Sequence, residues 1–204
     1  MVAVADSDTP KTAEGLTSAM RSIEGAFLIG VPEATEVLLV RHGDCYEGMT
    51  ALEDPPLSAI GIEQARLLGE RLRRLRPDAV YSSPLRRARQ TAEAVTPDFR
   101  IEPRLLEVVT ELTGGHVAVA EDPNAVLVRM NEAIAEAVAE HPGGRVVMVG
   151  HAMSILAYLC SVLRVEFGSL RLLPYYTSIS VVRILGDRRM AGALADTAHL
   201  ETLS

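Results

Sequence analysis

The stretch EVLLVRHGD, residues 36–44, holds the first regular strand pattern of the chain. Residues 37–40 form a short apolar run between polar and turn-forming residues, which is typical of a strand buried on both faces. Such a strand belongs to a sheet that helices cover on each side. Because Arg41 and His42 follow the run directly, we expect both side chains at the rim of that sheet.

Strand and helix patterns alternate along the rest of the chain. The further predicted strands cover residues 78–81, 99–102, 145–149, 179–184 and 190–195, and the predicted helices cover 58–76, 83–95, 122–140 and 152–163. This alternation predicts an α/β fold, in which a parallel or mixed sheet has helices on both faces. In such folds the active site lies at the carboxyl ends of the strands.

Two of the predicted helices have recognisable start signals. Ser58 is expected to cap the first of them, with Leu57 and Ile62 forming a hydrophobic staple. Ser83 is expected to cap the second, because Pro84 after it suits the first helical position.

The chain of 204 residues is long enough for one good-sized domain. Residues 35–204 are predicted to form it. Residues 1–34 are predicted to be a partly mobile N-terminal extension, in which an amphipathic piece around residues 20–28 packs back onto the domain.

The charge and the cysteine content exclude several classes of protein. The net charge of −7 argues against a general nucleic-acid or membrane-surface binder, because both need a broad basic face. Cys45 and Cys160 are too few for a disulfide framework and lack metal-site spacing. The first residues lack a signal-peptide pattern, and no apolar run reaches the length of about 18 that spans a membrane. We therefore expect a soluble, cytoplasmic protein.

Arginine and histidine side chains follow three of the predicted strands. Arg41 and His42 follow the first, Arg86 and Arg87 come shortly after the second, and His151 follows the strand at 145–149. The two histidines would meet if their strands were neighbours. Each residue alone is as well explained by a structural role, but together they suit phosphoryl transfer, in which arginines bind phosphate oxygens and an imidazole attacks phosphorus.

Motifs of competing chemistries do not occur in the sequence. There is no P-loop, no dinucleotide-binding glycine fingerprint and no nucleophile elbow of a serine hydrolase. No two histidines stand four residues apart as on a zinc-binding helix. The sequence therefore predicts neither a metal nor a cofactor.

Four segments of the chain resemble the histidine phosphatase superfamily, also called the phosphoglycerate mutase-like family. They are LLVRHGD (38–44), PLSAIGIEQARLLGERL (56–72), DAVYSSPLRRARQTAEAV (78–95) and VVMVGHAMSILAYL (146–159). They occur in family order within residues 36–197. The resemblance implies a three-layer sandwich with a mostly parallel central sheet flanked by helices, and a phosphatase that needs no metal.

The resemblance also implies roles for single residues. It makes His42 the phosphate-accepting nucleophile, Arg41 and Arg87 the phosphate-binding arginines, and His151 the second, phosphate-stabilising histidine. The glutamate that acts as proton donor falls at Glu107, in the stretch LLE, and Glu111 is the alternative.

Substrate contacts are expected from the residues beside these positions. Gly43, Asp44, Cys45 and Ala152 are expected on the substrate side. Cys45 is open to two interpretations, a bystander or a thiolate favoured by the basic pocket. The chain departs from the family pattern after Asp44 and at Ala152, where glycine or serine is common. Three residues late in the chain are further candidates for the substrate side: Arg171, Tyr175 and Tyr176.

Three functions are compatible with these residues. A phosphatase is favoured, because the short spacing from His42 to Glu107 and on to His151 leaves little room for the inserted segment of the mutase branch. The alternatives are a phosphoglycerate mutase-type phosphotransferase and an inactive module that binds a phosphorylated ligand. The predicted partner is a small phosphorylated molecule, with no nucleic acid and no membrane, and a homo-oligomer is left open.

Overall fold

The computed structural model describes residues 13–45, 54–106, 109–112, 116–119, 121–201 and 203. Five helices occur in these ranges: α1 (Ala13–Ala26), α2 (Ala59–Leu75), α3 (Arg86–Val95), α4 (Pro123–Glu140) and α5 (Ala152–Leu163). The strands in these ranges are β1 (Thr35–Arg41), β2 (Ala79–Ser82), β3 (Arg100–Ile101), β4 (Val109–Leu112), β5 (His116–Val119), β6 (Arg145–Gly150), β7 (Ile179–Leu185) and β8 (Arg188–Asp196).

Six strands form one sheet in the order β3-β2-β6-β1-β7-β8. The first four strands in this order run parallel to one another. β7 pairs antiparallel with β1, and β8 pairs antiparallel with β7. The prediction of an α/β fold with a mostly parallel central sheet is confirmed. β1 lies inside the sheet, with β6 on one side and β7 on the other.

Helices cover both faces of the sheet, which gives three layers. On one face, Val37 and Leu39 of β1 share a core cluster with Met130 of α4 and Tyr158 of α5. On the other face, Leu38 and Val40 pack in a second cluster with residues of α2 and α3 such as Leu68, Leu72 and Ala92. Each fully buried leucine or valine stabilises the fold by about 1.5–3 kcal/mol. The apolar run at residues 37–40 is therefore buried on both sides, as its pattern predicts.

The start of α2 confirms one prediction and contradicts another. Ser58 is the N-cap, and its hydroxyl accepts a hydrogen bond from the amide of Gly61. The hydrophobic staple does not form, because Ile62 is 58% exposed while Leu57 is buried. Leu57 instead packs toward Gly43, at the end of β1.

The start of α3 differs from the prediction. The helix begins at Arg86 with Leu85 as its N-cap, and no side chain caps it. Ser83 lies too early in the chain to serve as the cap, and its hydroxyl bonds His151 instead. The residue that resembled a helix cap is thus part of the polar cluster at the strand ends.

Two further features complete the fold. β4 and β5 pair antiparallel in a separate two-stranded sheet that the sequence did not reveal.

In the N-terminal segment Leu28 is buried, whereas Met20, Ile23 and Phe27 are exposed. The predicted mobile tail concerns mainly residues 1–12, which lie outside the described ranges. Within those ranges no helix is both long and apolar enough to cross a bilayer.

Candidate active site

The pairing of β1 with β6 brings two histidines together at the carboxyl end of the sheet. The strands are parallel neighbours, with Arg41 opposite Gly150, and the amide of His42 donates to the carbonyl of Gly150 over 3.0 Å. The ring centroids of His42 and His151 are 5.2 Å apart. Both side chains are buried, so the pair is shielded from solvent.

The imidazole of His42 is held in one tautomer. Its Nδ1 lies 2.7 Å from the carbonyl oxygen of Gly43, which can only accept, so Nδ1 carries the hydrogen. Its Nε2 therefore has the lone pair, and it accepts from Nε of Arg87 over 3.2 Å. Burial, together with the charge of Arg87, lowers the pKa of His42 to about 3. The ring is neutral and has one nucleophilic nitrogen.

The two consecutive arginines of α3 have different environments. Arg87 is buried and reaches His42, whereas Arg86 is exposed. The carboxylate of Asp54 accepts from the backbone amide of Arg86 over 2.8 and 3.0 Å and lies 3.6 Å from Nη1 of Arg87. Asp54 thus fixes the start of α3, and it balances part of the Arg87 charge.

His151 contacts a residue whose part in this site the sequence did not indicate. Its Nε2 lies 2.8 Å from the hydroxyl oxygen of Ser83. Burial, and then the neighbouring His42 and the positive charge of Arg87, lower the pKa of His151 well below its usual value. This environment therefore favours the neutral ring.

Three buried nitrogen atoms at this place have no hydrogen-bond partner within the described part of the chain. They are Nε of Arg41, Nη1 of Arg87 and Nδ1 of His151. A buried donor without an acceptor costs about 1–3 kcal/mol. Three such atoms on three neighbouring side chains indicate a site for a ligand that supplies several acceptor oxygens, as a phosphate group does.

Arg41 is oriented by residues late in the chain. Its Nη1 donates to the carbonyl oxygen of Pro174 over 2.9 Å. The ring of Tyr176 stacks on its guanidinium, with Cζ 4.0 Å from the ring centroid. Tyr176, a candidate on the sequence, therefore lies in the site. Tyr175 contacts Tyr176 edge-on and is exposed, and Arg171 is also exposed.

A layer of polar groups behind the site holds the loop after β1. The amide of Gly43 donates to Oγ1 of Thr91 over 3.0 Å, and that hydroxyl donates to the carbonyl of Arg87 over 2.8 Å. A Cβ on Gly61 would lie only 1.9 Å from the carbonyl oxygen of Asp44, so only glycine lets α2 approach this closely. These contacts give a physical reason for the glycine and threonine in the segments quoted from the sequence.

The residues assigned to the substrate side have mixed environments. Asp44 bonds the cap of α2, accepting from the Ser58 hydroxyl over 2.6 Å, and its amide donates to Oε1 of Gln64. Ala152 is buried at the first position of α5. Burial raises the pKa of the Cys45 thiol, and Arg87 offsets this only in part. The protonated thiol is the form this environment favours, which speaks against the thiolate interpretation.

The predicted proton donor lies just beyond a described segment. Glu107 is outside the described residues, and of Glu111 only the backbone, in β4, is described. The chain leading to Glu107 passes close to the site, because the carbonyl oxygen of Leu105 is 3.9 Å from a Cβ built on Gly150. Arg129 fixes this stretch by donating to the carbonyl of Leu106 over 2.9 Å.

A metal site is not visible in the described ranges. There, no group of three or more histidine, cysteine, aspartate or glutamate side chains is arranged to hold a metal ion. The donors that converge at the strand ends are cationic or neutral nitrogen atoms, which suit an anion.

The neutral histidines make the stability of the fold depend on pH. The folded-state pKa is about 3 for His42 and about 4 for His199, against 6.5 in an unstructured chain. Below about pH 6.5 the unfolded chain takes up protons that the native state does not, so the fold loses stability as the pH falls.

We therefore expect a lower free energy of unfolding at about pH 5.5 than at about pH 7.5, by about 1 kcal/mol for each of His42 and His199. Urea unfolding at the two pH values measures the difference, and a His42→Asn variant should show a smaller one. An equal free energy at both pH values would contradict the burial argument.

Comparisons with known proteins identify a family. A family model described as histidine phosphatase superfamily (branch 1) matches residues 37–119 and 111–197. Phosphoserine phosphatase 1 of Hydrogenobacter thermophilus is 27% identical over 201 aligned residues, which cover 81% of this chain and 94% of that protein. A probable phosphoglycerate mutase, GpmB of an Enterobacter species, is 27% identical over 160 residues, covering 63% of this chain and 74% of that protein.

A solved structure agrees with the architecture. YhfR of Bacillus stearothermophilus superposes with a TM-score of 0.71 at 24% identity, over 82% of this chain and all of that one (100%). At this level of identity the likeness concerns the fold, the same three layers with a mostly parallel sheet.

Proposed function

The chain belongs to the histidine phosphatase superfamily, and from this premise we propose that it hydrolyses a phosphate monoester through a phosphohistidine on His42, without a metal ion. The observation that carries the proposal is the set of buried nitrogen atoms on Arg41, Arg87 and His151 that have no hydrogen-bond partner among the described residues, next to Nε2 of His42, which accepts from Arg87. A phosphoryl group supplies the acceptor oxygens for the three donors and the electrophile for the lone pair.

The first step is an attack by His42 on phosphorus. Nε2 forms the new bond while the bond between phosphorus and the substrate oxygen breaks. The lone pair now shared with Nε of Arg87 becomes available when the arginine turns its N–H groups to the phosphate oxygens. The Nδ1–H bond to the Gly43 carbonyl stabilises the positive charge that the ring gains.

His151 and the two arginines stabilise the charge on the transferring group. Arg41 and Arg87 are fully charged and bind oxygens in their planar forks. His151 is neutral in this structure, and the two negative charges of a phosphate monoester would raise its affinity for a proton. Even without that proton, a tautomer with hydrogen on Nδ1 and an acceptor Nε2 facing Ser83 donates one bond to the phosphate.

The departing alkoxide needs a proton, and we assign this role to Glu107. The support is the path of the chain: the Leu105 carbonyl lies beside β6 where that strand leads into His151, and Arg129 holds the next residue, Leu106. Glu107 follows Leu105 by two residues, and it is the carboxyl that we propose to reach the same strand ends. In the second step Glu107 takes a proton from water, which attacks phosphorus and releases inorganic phosphate and free His42.

A mutase is the second candidate function, since a probable phosphoglycerate mutase is among the relatives. The phosphatase is favoured by the short spacing between His42, Glu107 and His151. The substrate is a small phosphorylated molecule, and the phosphoserine phosphatase among the relatives makes phosphoserine the first compound to assay. A module that binds phosphate ligands without turnover is the remaining alternative.

A panel of phosphorylated metabolites tests the proposal. Phosphoserine, phosphoglycerates, sugar phosphates and nucleotides are assayed for phosphate release and for isomerisation, with and without a chelator. We expect release that a chelator does not change. Isomerisation without release would favour the mutase, and strong inhibition by the chelator would contradict the metal-free mechanism. Binding of inorganic phosphate without any turnover would favour the inactive module.

A further inference from the structure

The ring of Tyr176 lies close to two residues of the site, Arg41 and His42. Its ring centroid is 4.0 Å from Cζ of Arg41 and 5.9 Å from the ring centroid of His42. A ring that stacks on one face of a guanidinium leaves the in-plane N–H groups free for an anion. The stack therefore fixes the plane of Arg41 without using the donors that a phosphate would need.

The residue after Tyr176 has a strained backbone. Thr177 has φ +55°, a left-handed conformation that is a genuine outlier for a β-branched residue. Its amide donates to the carbonyl oxygens of Arg41 over 3.0 Å and of His42 over 3.3 Å. Strain of this kind persists only where surrounding contacts impose it, and it is concentrated at functional sites. Here it ties the segment carrying Tyr176 to the backbone of the two site residues.

A contact from the C-terminal part of the chain holds Thr177 in place. The side chain of Thr177 is completely buried, and its hydroxyl lies 3.0 Å from Nε2 of His199. His199 is next to Arg71, which forms an ion pair with Asp196. These residues link α2 and the end of β8 to the turn that carries Tyr176.

We propose that Tyr176 is a positioning residue that fixes Arg41 for phosphate binding, and that the Thr177–His199 contact holds Tyr176 over Arg41. The proposal rests on the proposed function, because it takes Arg41 to be a ligand of the transferring phosphate. Tyr176 itself transfers no proton and forms no bond to phosphorus. The stacked ring has this role, whereas the hydroxyl bonds Asp44, and that distinction makes the proposal testable.

Three variants separate positioning from simple packing. Tyr176→Leu removes the stack, and Tyr176→Phe keeps the ring. Tyr175→Leu removes an exposed ring that touches Tyr176 outside the stack with Arg41. Binding of inorganic phosphate is measured by calorimetry, and kcat and KM are measured on an aryl phosphate. We expect Tyr176→Leu to weaken phosphate binding about 3- to 30-fold. Tyr176→Phe, which keeps the ring and loses only the bond of the hydroxyl to Asp44, should lose clearly less than Tyr176→Leu, and Tyr175→Leu should stay within about two-fold of the wild type.

The outcomes decide the proposal in either direction. Unchanged phosphate binding in a folded Tyr176→Leu variant would overturn it, and so would a Tyr176→Phe variant as weak as Tyr176→Leu. A loss confined to kcat, with phosphate binding intact, would also overturn it, because a misplaced Arg41 must weaken the bound phosphate. Circular dichroism and thermal unfolding establish that each variant is folded.

The Thr177–His199 contact is tested through a double-mutant cycle. Thr177→Val removes the hydroxyl and keeps the side-chain shape, so we expect part of the loss seen in Tyr176→Leu. If Thr177 acts through Tyr176, the same change adds nothing in the Tyr176→Leu background. Independent, additive losses would overturn this half of the proposal.

Failure of the proposed function would look different. A wild type that binds phosphate but releases none from any substrate would contradict the phosphatase proposal, while calorimetry would still measure the effect of Tyr176 on Arg41. A wild type that turns over normally together with a Tyr176→Leu variant of normal phosphate affinity would contradict only the positioning role.

Discussion

Replacement of His42 by alanine is expected to lower kcat by about four orders of magnitude or more, the scale seen when a covalent nucleophile is removed. The reason is that no other described residue offers the same atom. The ring of His42 is neutral and buried, its Nδ1 bonds the Gly43 carbonyl, and its Nε2 faces Arg87, with the centroid of the His151 ring 5.2 Å from its own. His151 has its Nε2 engaged with Ser83 and does not replace it.

The same variant should keep its affinity for phosphate. Arg41, Arg87 and His151 remain, so inorganic phosphate is expected to bind to His42→Ala with an affinity close to that of the wild type. His141→Ala is the matched control, because His141 ends α4, far from the carboxyl ends of the strands. A His42→Ala enzyme within about ten-fold of the wild type would contradict the nucleophile assignment.

Replacement of Glu107 by glutamine is expected to lower kcat by about 10²- to 10³-fold on a substrate with a poor leaving group, such as phosphoserine. Glutamine has a similar shape but cannot give a proton to the departing alkoxide. On an aryl phosphate with an acidic phenol the leaving group needs little help, and the loss in the first step should be much smaller.

Glu111→Gln is the matched control for this prediction. It changes the same chemical group four residues away, and we expect kcat within a few-fold of the wild type on both substrates. A large loss in Glu111→Gln, with a normal Glu107→Gln, would assign the proton donor to Glu111. Equal loss of Glu107→Gln on good and poor leaving groups would contradict a role in leaving-group protonation.

Much of the fold could be predicted from local pattern alone. The run at residues 37–40 is apolar at every position, and a strand with this pattern must be covered on both faces, as β1 is by the two core clusters. The helix 152–163 was predicted with its observed bounds because an unbroken apolar segment follows a strand and a histidine.

Other elements depend on contacts that local pattern does not encode. The staple at Ile62 failed because Leu57 packs against Gly43, which is distant in sequence from α2. The hairpin of β4 and β5 has strands of only four residues each, too short for a clear alternation.

The site was predictable where each residue follows a strand or opens a helix. His42 and His151 stand directly after buried strands, and Arg87 lies on the buried side of α3, so the topology brings them together. Their chemical roles came from the resemblance, not from these positions.

Ser83, Thr177 and His199 carried no comparable indication. Ser83 has the look of a helix cap, and it becomes a partner of His151 only because β2 lies next to β6. The strain at Thr177 is a property of tertiary structure. Arg41 and Tyr176 are far apart in the chain, and their stack arises from the pairing of β1 with β7.

Direct detection of the phosphorylated enzyme tests the central claim. Wild-type protein is mixed with a phosphate-labelled substrate, quenched within milliseconds, and digested to locate the label. We predict a label on the peptide that contains His42, stable in alkali and labile in acid as a phosphoramidate is, and absent from His42→Ala. Turnover without a labelled enzyme, or a label that persists in His42→Ala, would contradict the account.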